Sequence, residues 1–389
     1  MTNSDRLREP TERLRDRRPW KTLMPALAGL LLLPSACQEA PRPAPPPAES
    51  GGTTATATAS APTPAAQSVE VSPRILRRFS PLRGADAGGP PPSAALVDLG
   101  RMLYFDARLS ASKDVSCNSC HPLDRYGATE ESVSRGVHGR TGTRNAPSTY
   151  NAARHFSQFW DGRSESVEDQ AVAPILEPLE MGMSSAAEVV ARLKMIEGYR
   201  AQFAKAFPDE TEPLTYRNVG VAIGAFERGL VTPAPWDRYL LGDTKALSDR
   251  EKEGARVFAN IGCLVCHTGE LIGGSMFEKT GVAKPWPNQK DTGRARVTKS
   301  KADQMVFKVP SLRNVAKTAP YFHDASAKTL DEAVRKMAVH QLGIELQDDE
   351  ADAMVAWMQS LTGQLPTAYI AGPTLPPEAV AVAAPARDR

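Results

Sequence analysis

The sequence carries no charge excess of either sign. Its 47 Lys and Arg against 45 Asp and Glu leave a net +2 over 389 residues, which gives no reason to propose a nucleic-acid partner. Nor does it offer a comfortable membrane span, because the apolar run from Leu23 to Leu33 is short and broken by Pro25. Period-two alternation is scarce, so few strands are expected. Cysteine is scarce too, with five in the chain. Four of those five fall in two copies of one signal, Cys117-Asn118-Ser119-Cys120-His121 and Cys263-Leu264-Val265-Cys266-His267.

C-x-x-C-H is the attachment signature of c-type haem. Two thiols add across the two vinyl groups of one porphyrin, so they sit about a helical turn apart. The next residue brings its imidazole under the ring to ligate iron. A C-x-x-C pair is also found as a redox dithiol or as half a zinc site. Neither of those needs a His directly after both pairs. The spacing therefore predicts two covalent haem c groups, held by Cys117, Cys120 and His121 and by Cys263, Cys266 and His267.

The fifth cysteine, Cys37, follows a basic stretch (Arg13, Arg15, Arg17, Arg18, Lys21) and the apolar run. That is the order of an export signal, expected over residues 1–36. Leu33-Pro34-Ser35-Ala36-Cys37 resembles a bacterial lipoprotein box, departing from it at Pro34. Lipidation of Cys37 is one outcome, and cleavage nearby with Cys37 left as a spare thiol is the other. Both put the chain outside the cytoplasm, in the periplasm or cell envelope. Residues 37–70 are rich in Pro, Ala and Thr and read as a tether, and residues 367–389 repeat that composition as a disordered tail.

Between these ends, apolar spacing predicts helices at Ala94 to Leu103, Ser164 to Ala173, Ala186 to Ile196, Tyr216 to Gly229 and Asp348 to Leu361. Ser248-Asp249-Arg250-Glu251 and Thr329-Leu330-Asp331-Glu332 read as capping boxes that open two more. The expected fold is mainly α, with two cytochrome c-like haem domains side by side. The N-terminal domain is expected over residues 71–240 and the C-terminal domain over 241–366.

Residues 95 to 365 resemble the bacterial di-haem cytochrome c peroxidase family. The matching stretches are Tyr104 to Ser110 (YFDARLS), the first haem signal, Arg144 to Asn151 (RNAPSTYN), Phe159 to Arg163 (FWDGR), Asp169-Gln170-Ala171 and Pro178 to Met181 (PLEM). The second haem signal, Phe307 to Val315 (FKVPSLRNV) and Ala319 to Asp324 (APYFHD) complete the series. The methylamine-utilisation di-haem enzymes share this scaffold. The resemblance implies that the His121 haem is peroxidatic, with Glu180 moving the peroxide proton and Gln170 orienting the peroxide. It implies Met337 as the second axial ligand of the His267 haem, against the alternatives Met305, Met354 and Met358, and Trp160 as the relay between haems. It also implies an inter-domain calcium site from the side chain of Asn145 and the carbonyls of Thr318 and Pro320, and a homodimer.

Many members close the peroxidatic iron with a loop His. Aligned without gaps from Asn145, Val137 takes that ligand's place and His138 falls one residue later. Either the glycine-rich loop slips and His138 ligates, or the iron is open and His138 is solvated. His155, His323 and His340 have no comparable claim, although His323 sits in a family motif and is a candidate hydrogen-bond partner for the site. The basic stretch with Lys284, Lys290, Arg294, Arg296, Lys299 and Lys301 is either a dock for an acidic donor or a solvated surface. The expected activity is reduction of hydrogen peroxide to water by electrons from a small cytochrome c or cupredoxin. A di-haem oxidase of an organic or protein substrate and a non-enzymatic electron carrier are the rivals.

Overall fold

The computed structural model describes residues 69–84 and 91–377. The expected export signal, Cys37 and most of the tether lie outside the described residues, as does the tail from 378.

Eight helices of eight or more residues lie among the described residues: α1 Ala94–Phe105, α2 Val167–Leu176, α3 Ala186–Met195, α4 Glu197–Ala206, α5 Tyr216–Glu227, α6 Asp249–Asn260, α7 Leu330–Met337 and α8 Asp348–Gln359. Polar side chains start most of them by accepting from an otherwise unpaired backbone N–H. Ser93, Ser166, Ser185 and Thr215 do so for α1, α2, α3 and α5. The capping boxes Ser248–Glu251 and Thr329–Glu332 are closed in both directions. The one two-stranded sheet among the described residues pairs Phe277–Lys279 with Val306–Lys308, antiparallel, setting Phe277 opposite Lys308.

Each half of the chain is built on the same helix crossing. A Cβ added at Gly100 of α1 would lie 1.8 Å from the Ala222 carbonyl oxygen of α5, beside Phe226. A Cβ at Gly254 of α6 would lie 1.9 Å from the Ala353 carbonyl oxygen of α8, beside Trp357. Only glycine permits backbones this close, and the aromatic ring one turn on fills the space next to the crossing. Around the first crossing a core collects Leu99, Leu103, Tyr104, Ile175, Ile223 and Phe226. Around the second it collects Trp236, Phe258, Met354 and Trp357. Burial of each such side chain contributes about 1.5–3 kcal/mol.

Two boundaries differ from the sequence reading. Residues 71–82, expected to open the N-terminal domain, pack on the second core. Phe79 meets Trp236 edge-on at 5.3 Å and Trp357 at 6.1 Å, and the Val71 N–H donates to Tyr239 Oη at 3.3 Å. Trp236 and Tyr239, also expected in the N-terminal domain, belong with Trp357 to this second core, so both the 71–82 segment and the helix Pro235–Leu240 lie across the expected boundary, and no local sequence signal reports that. Residues 367–377, read as the start of a disordered tail, pack against the first half instead. Tyr369 stacks on Phe226 at 5.1 Å and donates to its carbonyl at 2.7 Å, so one aromatic ring offsets the ordering of a Pro-rich segment.

The two halves are joined by charge. Arg144 donates to Asp161 at 2.7 Å and to both carboxylate oxygens of Asp291 at 2.5 and 2.8 Å. Within the second half, Arg313 and Asp237 form a bidentate pair at 2.6 and 2.7 Å, with both side chains almost fully buried.

Candidate functional site

The first signal forms a short helix, Cys117–Cys120, in which the His121 N–H closes on the Cys117 carbonyl at 2.9 Å. His121 Nδ1 lies 3.2 Å from the Gly127 carbonyl oxygen. That acceptor fixes the proton on Nδ1 and leaves the Nε2 lone pair free for a metal. Burial lowers the pKa of His121, which favours the neutral, ligating imidazole. Tyr104 Oη donates to the His121 carbonyl at 2.9 Å and anchors the turn.

The second signal repeats this geometry. The His267 N–H closes on the Cys263 carbonyl at 3.0 Å, and its Nδ1 lies 3.0 Å from the Ile272 carbonyl oxygen. Burial lowers the pKa of this imidazole too.

The thiols separate haem attachment from the redox-dithiol reading. A redox dithiol needs a thiol pulled below its ordinary value. Burial pushes Cys117 and Cys120 up, and raises Cys263 to about 12. No group of three or more His, Cys, Asp and Glu side chains suited to a metal ion occurs among the described residues. The site residues fit haem, with paired thiols, an imidazole whose Nε2 is free and an adjoining cavity at each signal.

The cavity at the first signal is lined by Cys120, His121, Gln170 and Glu180. Gln170 comes from α2. Glu180 lies just beyond that helix, its carbonyl held by the Val137 N–H at 2.8 Å. Burial raises the pKa of the Glu180 carboxyl, with Arg163 opposing the shift. Two cavities adjoin the second signal, and Cys263, His267 and Met337 line both. Met337 is the last residue of α7, where the chain passes into a π-helical turn over Ala338–Leu342. Met354 and Met358 line one of these cavities from the buried core, and Met305 packs with Trp286 and Phe307 instead.

Trp160 lines the cavities of both signals. Its indole N–H donates to the Asn145 carbonyl at 2.8 Å, and its ring meets Phe307 edge-on at 6.5 Å. Asn145, Thr318 and Pro320 are among the residues that line one cavity. His138 does not join the first site. It is exposed in the left-handed region (φ 56) of the turn Val137–Gly139, while Val137 is buried. His323 stacks on Phe307 at 4.2 Å and accepts from the Asn145 N–H through its carbonyl at 2.9 Å. In the basic stretch Lys284, Lys290, Arg296 and Lys299 are exposed, whereas Arg294 donates to the Asp161 carbonyl at 2.9 Å.

Three groups at the site escaped the sequence reading. Lys308 lines all three cavities and His155 two of them, and Glu227 is buried on the wall of the first. Lys308 falls within the Phe307 to Val315 motif, which was its only signal.

Comparison with known proteins agrees with this geometry. The profile described as di-haem cytochrome c peroxidase matches residues 94–245, and that of cytochrome c matches residues 251–362. Cytochrome c551 peroxidase of Nitrosomonas europaea is 42% identical over 291 residues, covering 74% of this chain and 85% of the relative. Cytochrome c peroxidase Ccp of Escherichia coli is 41% identical over 278 residues, covering 70% of this chain and 59% of that longer protein. Among solved structures, a MauG-like protein associated with microbial copper homeostasis superimposes with a TM-score of 0.64 at 29% identity, covering 76% of this chain and 96% of its own.

Proposed function

The chain belongs to the di-haem cytochrome c peroxidase family, and from that premise we propose that it reduces hydrogen peroxide to water with electrons from a small cytochrome c or cupredoxin. The observation that carries this reading is the meeting of Glu180 and Gln170 with His121 and Cys120 on one cavity wall.

When bound, the two haems would supply the redox chemistry, one for peroxide reduction and the other for electron storage. The chain's own residues do the rest. Cys117 and Cys120 would hold the first haem and Cys263 and Cys266 the second, with His121 and His267 each offering Nε2 to the iron. Met337, on a wall shared with His267, would offer its thioether to the second haem, and a thioether ligand raises the potential of an electron-storing haem. Gln170 orients peroxide through its amide. The Glu180 carboxylate takes the proton from the nearer peroxide oxygen and returns it to the farther one. Its raised pKa suits that exchange, because the carboxyl gains and loses a proton closer to neutral pH. Trp160 lies between the sites as the relay. The exposure of His138 on its turn supports reading it as solvated, which leaves the first site open to peroxide. Met337 favours peroxidase over the di-haem oxidase reading.

Asn145 with the carbonyls of Thr318 and Pro320 offers hard oxygen ligands for calcium. The basic stretch and apolar run ahead of Cys37 support export and lipid attachment, with work in the periplasm or cell envelope. No helix among the described residues is long and apolar enough to cross a membrane.

The test is peroxide-dependent oxidation of a reduced monohaem cytochrome c or a cupredoxin by the haem-loaded protein, started fully oxidised and with one haem reduced, with calcium present. Turnover from the oxidised state supports an open first site. Intact haems with no turnover from either donor in either state would count against a peroxidase.

A further inference from the structure

Lys308 is buried, 5% exposed, on a strand paired with Phe277–Lys279, and its backbone N–H donates to the Trp160 carbonyl of the first half at 2.8 Å. Its ammonium has two polar partners, His155 Nδ1 at 2.6 Å and the Ser157 carbonyl at 2.9 Å. Neither is anionic. The other basic side chains as deeply buried among the described residues have carboxylates, Arg313 pairing with Asp237 at 2.6 Å and Lys252 with Glu70 at 3.1 Å. A buried cation without a counter-ion is strongly disfavoured, so buried charges are found paired.

His155 adds a second demand. Its Nδ1 accepts from the lysine, so its proton sits on Nε2, and that buried nitrogen has no hydrogen-bond partner. The ammonium has three hydrogens and two partners. The pair therefore presents a charge that burial disfavours, lowering the Lys308 pKa to about 7, and two unused donors. A carboxylate satisfies both, and the surrounding chain supplies none to Lys308. Haem carries two propionate carboxylates, and both side chains line cavities of the first and of the second signal.

We propose that Lys308, with His155 beside it, is the buried counter-ion of haem propionate at the junction of the two haem sites, and that its charge holds up the reduction potential there. The proposal rests on the di-haem reading above. Ferric haem carries one more positive charge than ferrous haem, so a fixed cation nearby disfavours the ferric state. Removing it lowers the midpoint potential.

The test uses the full-length haem-loaded protein. Haem per chain is counted first, and a wild-type chain without two haems removes premise and proposal together. Each haem is then titrated by spectroelectrochemistry in wild type, Lys308→Met and Lys308→Arg. The expected result is two haems in every variant, a lower midpoint potential for at least one haem in Lys308→Met, and potentials close to wild type in Lys308→Arg, which keeps the cation. Unchanged potentials in Lys308→Met overturn the proposal while leaving the di-haem reading intact. Where Lys308→Met fails to load haem, a crystal structure of the wild-type holoprotein decides. A propionate oxygen within about 4 Å of Lys308 Nζ, the ordinary ion-pair limit, supports the assignment. Propionates directed elsewhere refute it.

Discussion

Asn151 and Asn314 donate to the same oxygen, Thr232 Oγ1, at 3.0 and 2.8 Å. One asparagine follows the first haem signal and the other the second, and both sit in the left-handed region, at φ 60 and 59. Each also uses its side-chain carbonyl, Asn151 accepting from the Thr232 N–H at 3.1 Å and Asn314 from the Gly363 N–H at 3.0 Å. The hydroxyl is fully buried, so it ties equivalent loops of the two halves where water cannot replace it. Thr232→Val keeps the shape and leaves two buried amides without an acceptor. An unsatisfied buried donor costs about 1–3 kcal/mol, so the variant should lose about 2–4 kcal/mol in denaturant unfolding of the haem-loaded protein. An unchanged midpoint would show that the shared hydroxyl is not a link.

The Asp237–Arg313 pair makes a second stability prediction. Asp237 also accepts from the backbone N–H groups of Leu82 at 2.6 Å and Ala234 at 2.7 Å. Removing the carboxylate strands a buried guanidinium and two N–H groups, so Asp237→Ala should cost about 3–5 kcal/mol. Glu253→Ala breaks the exposed pair with Arg256 (2.7 Å) and should cost about 0–1 kcal/mol. Thermal unfolding of the two variants side by side checks the contrast, and similar losses would refute it.

Local chemistry was legible in the sequence where the signal lies within a few residues. The two haem signals and the capping boxes at Ser248 and Thr329 are of this kind. So are most helix limits, although α2 starts at Val167 because Ser166, not a residue before Ser164, accepts from the helix N-terminus. Glu180, Gln170, Trp160 and Met337 were reached through motif resemblance, since a carboxylate after Pro178-Leu179 has no intrinsic mark of chemistry. The rest depends on packing between distant segments. Gly100 and Gly254 look like ordinary helix-weakening glycines until the helices cross. Phe79 reveals its domain only through Trp236 and Trp357. His138 shows the limit of a one-residue alignment choice, because the turn buries Val137 and leaves the imidazole exposed.

Glu227 gives the pH dependence a sign. Burial on α5 raises its carboxyl from 4.5 to about 8, with Glu168 adding to the shift and Arg228 opposing it. The folded state therefore holds this proton more tightly than the unfolded state. The contribution to stability is complete below the unfolded value and is lost as pH rises towards the folded one, on the order of a few kcal/mol in all. Stability should fall from about pH 5 to about pH 8, and Glu227→Gln should flatten that slope, since a neutral amide has no proton to lose. Denaturant midpoints of both proteins across this range provide the check, and parallel slopes would remove Glu227 as the source.

Glu180 and Gln170 line one cavity, yet their loss should be felt differently. Glu180→Gln keeps size and hydrogen bonding but cannot exchange a proton, and general acid–base catalysis contributes about 10²–10⁴-fold. Its turnover should fall by about that range, with two haems still attached. Gln170 orients without exchanging a proton, so Gln170→Ala should lose less, about 10-fold, mostly in the rate of reaction with peroxide at low concentration. Stopped-flow measurement of peroxide reacting with each variant isolates this step from electron delivery. Partial turnover in Glu180→Gln that matches Gln170→Ala would mean that both residues only position the peroxide, and the proton would have to move through water or another group on the cavity wall. A far deeper loss in Glu180→Gln identifies its carboxylate as the group that carries the proton.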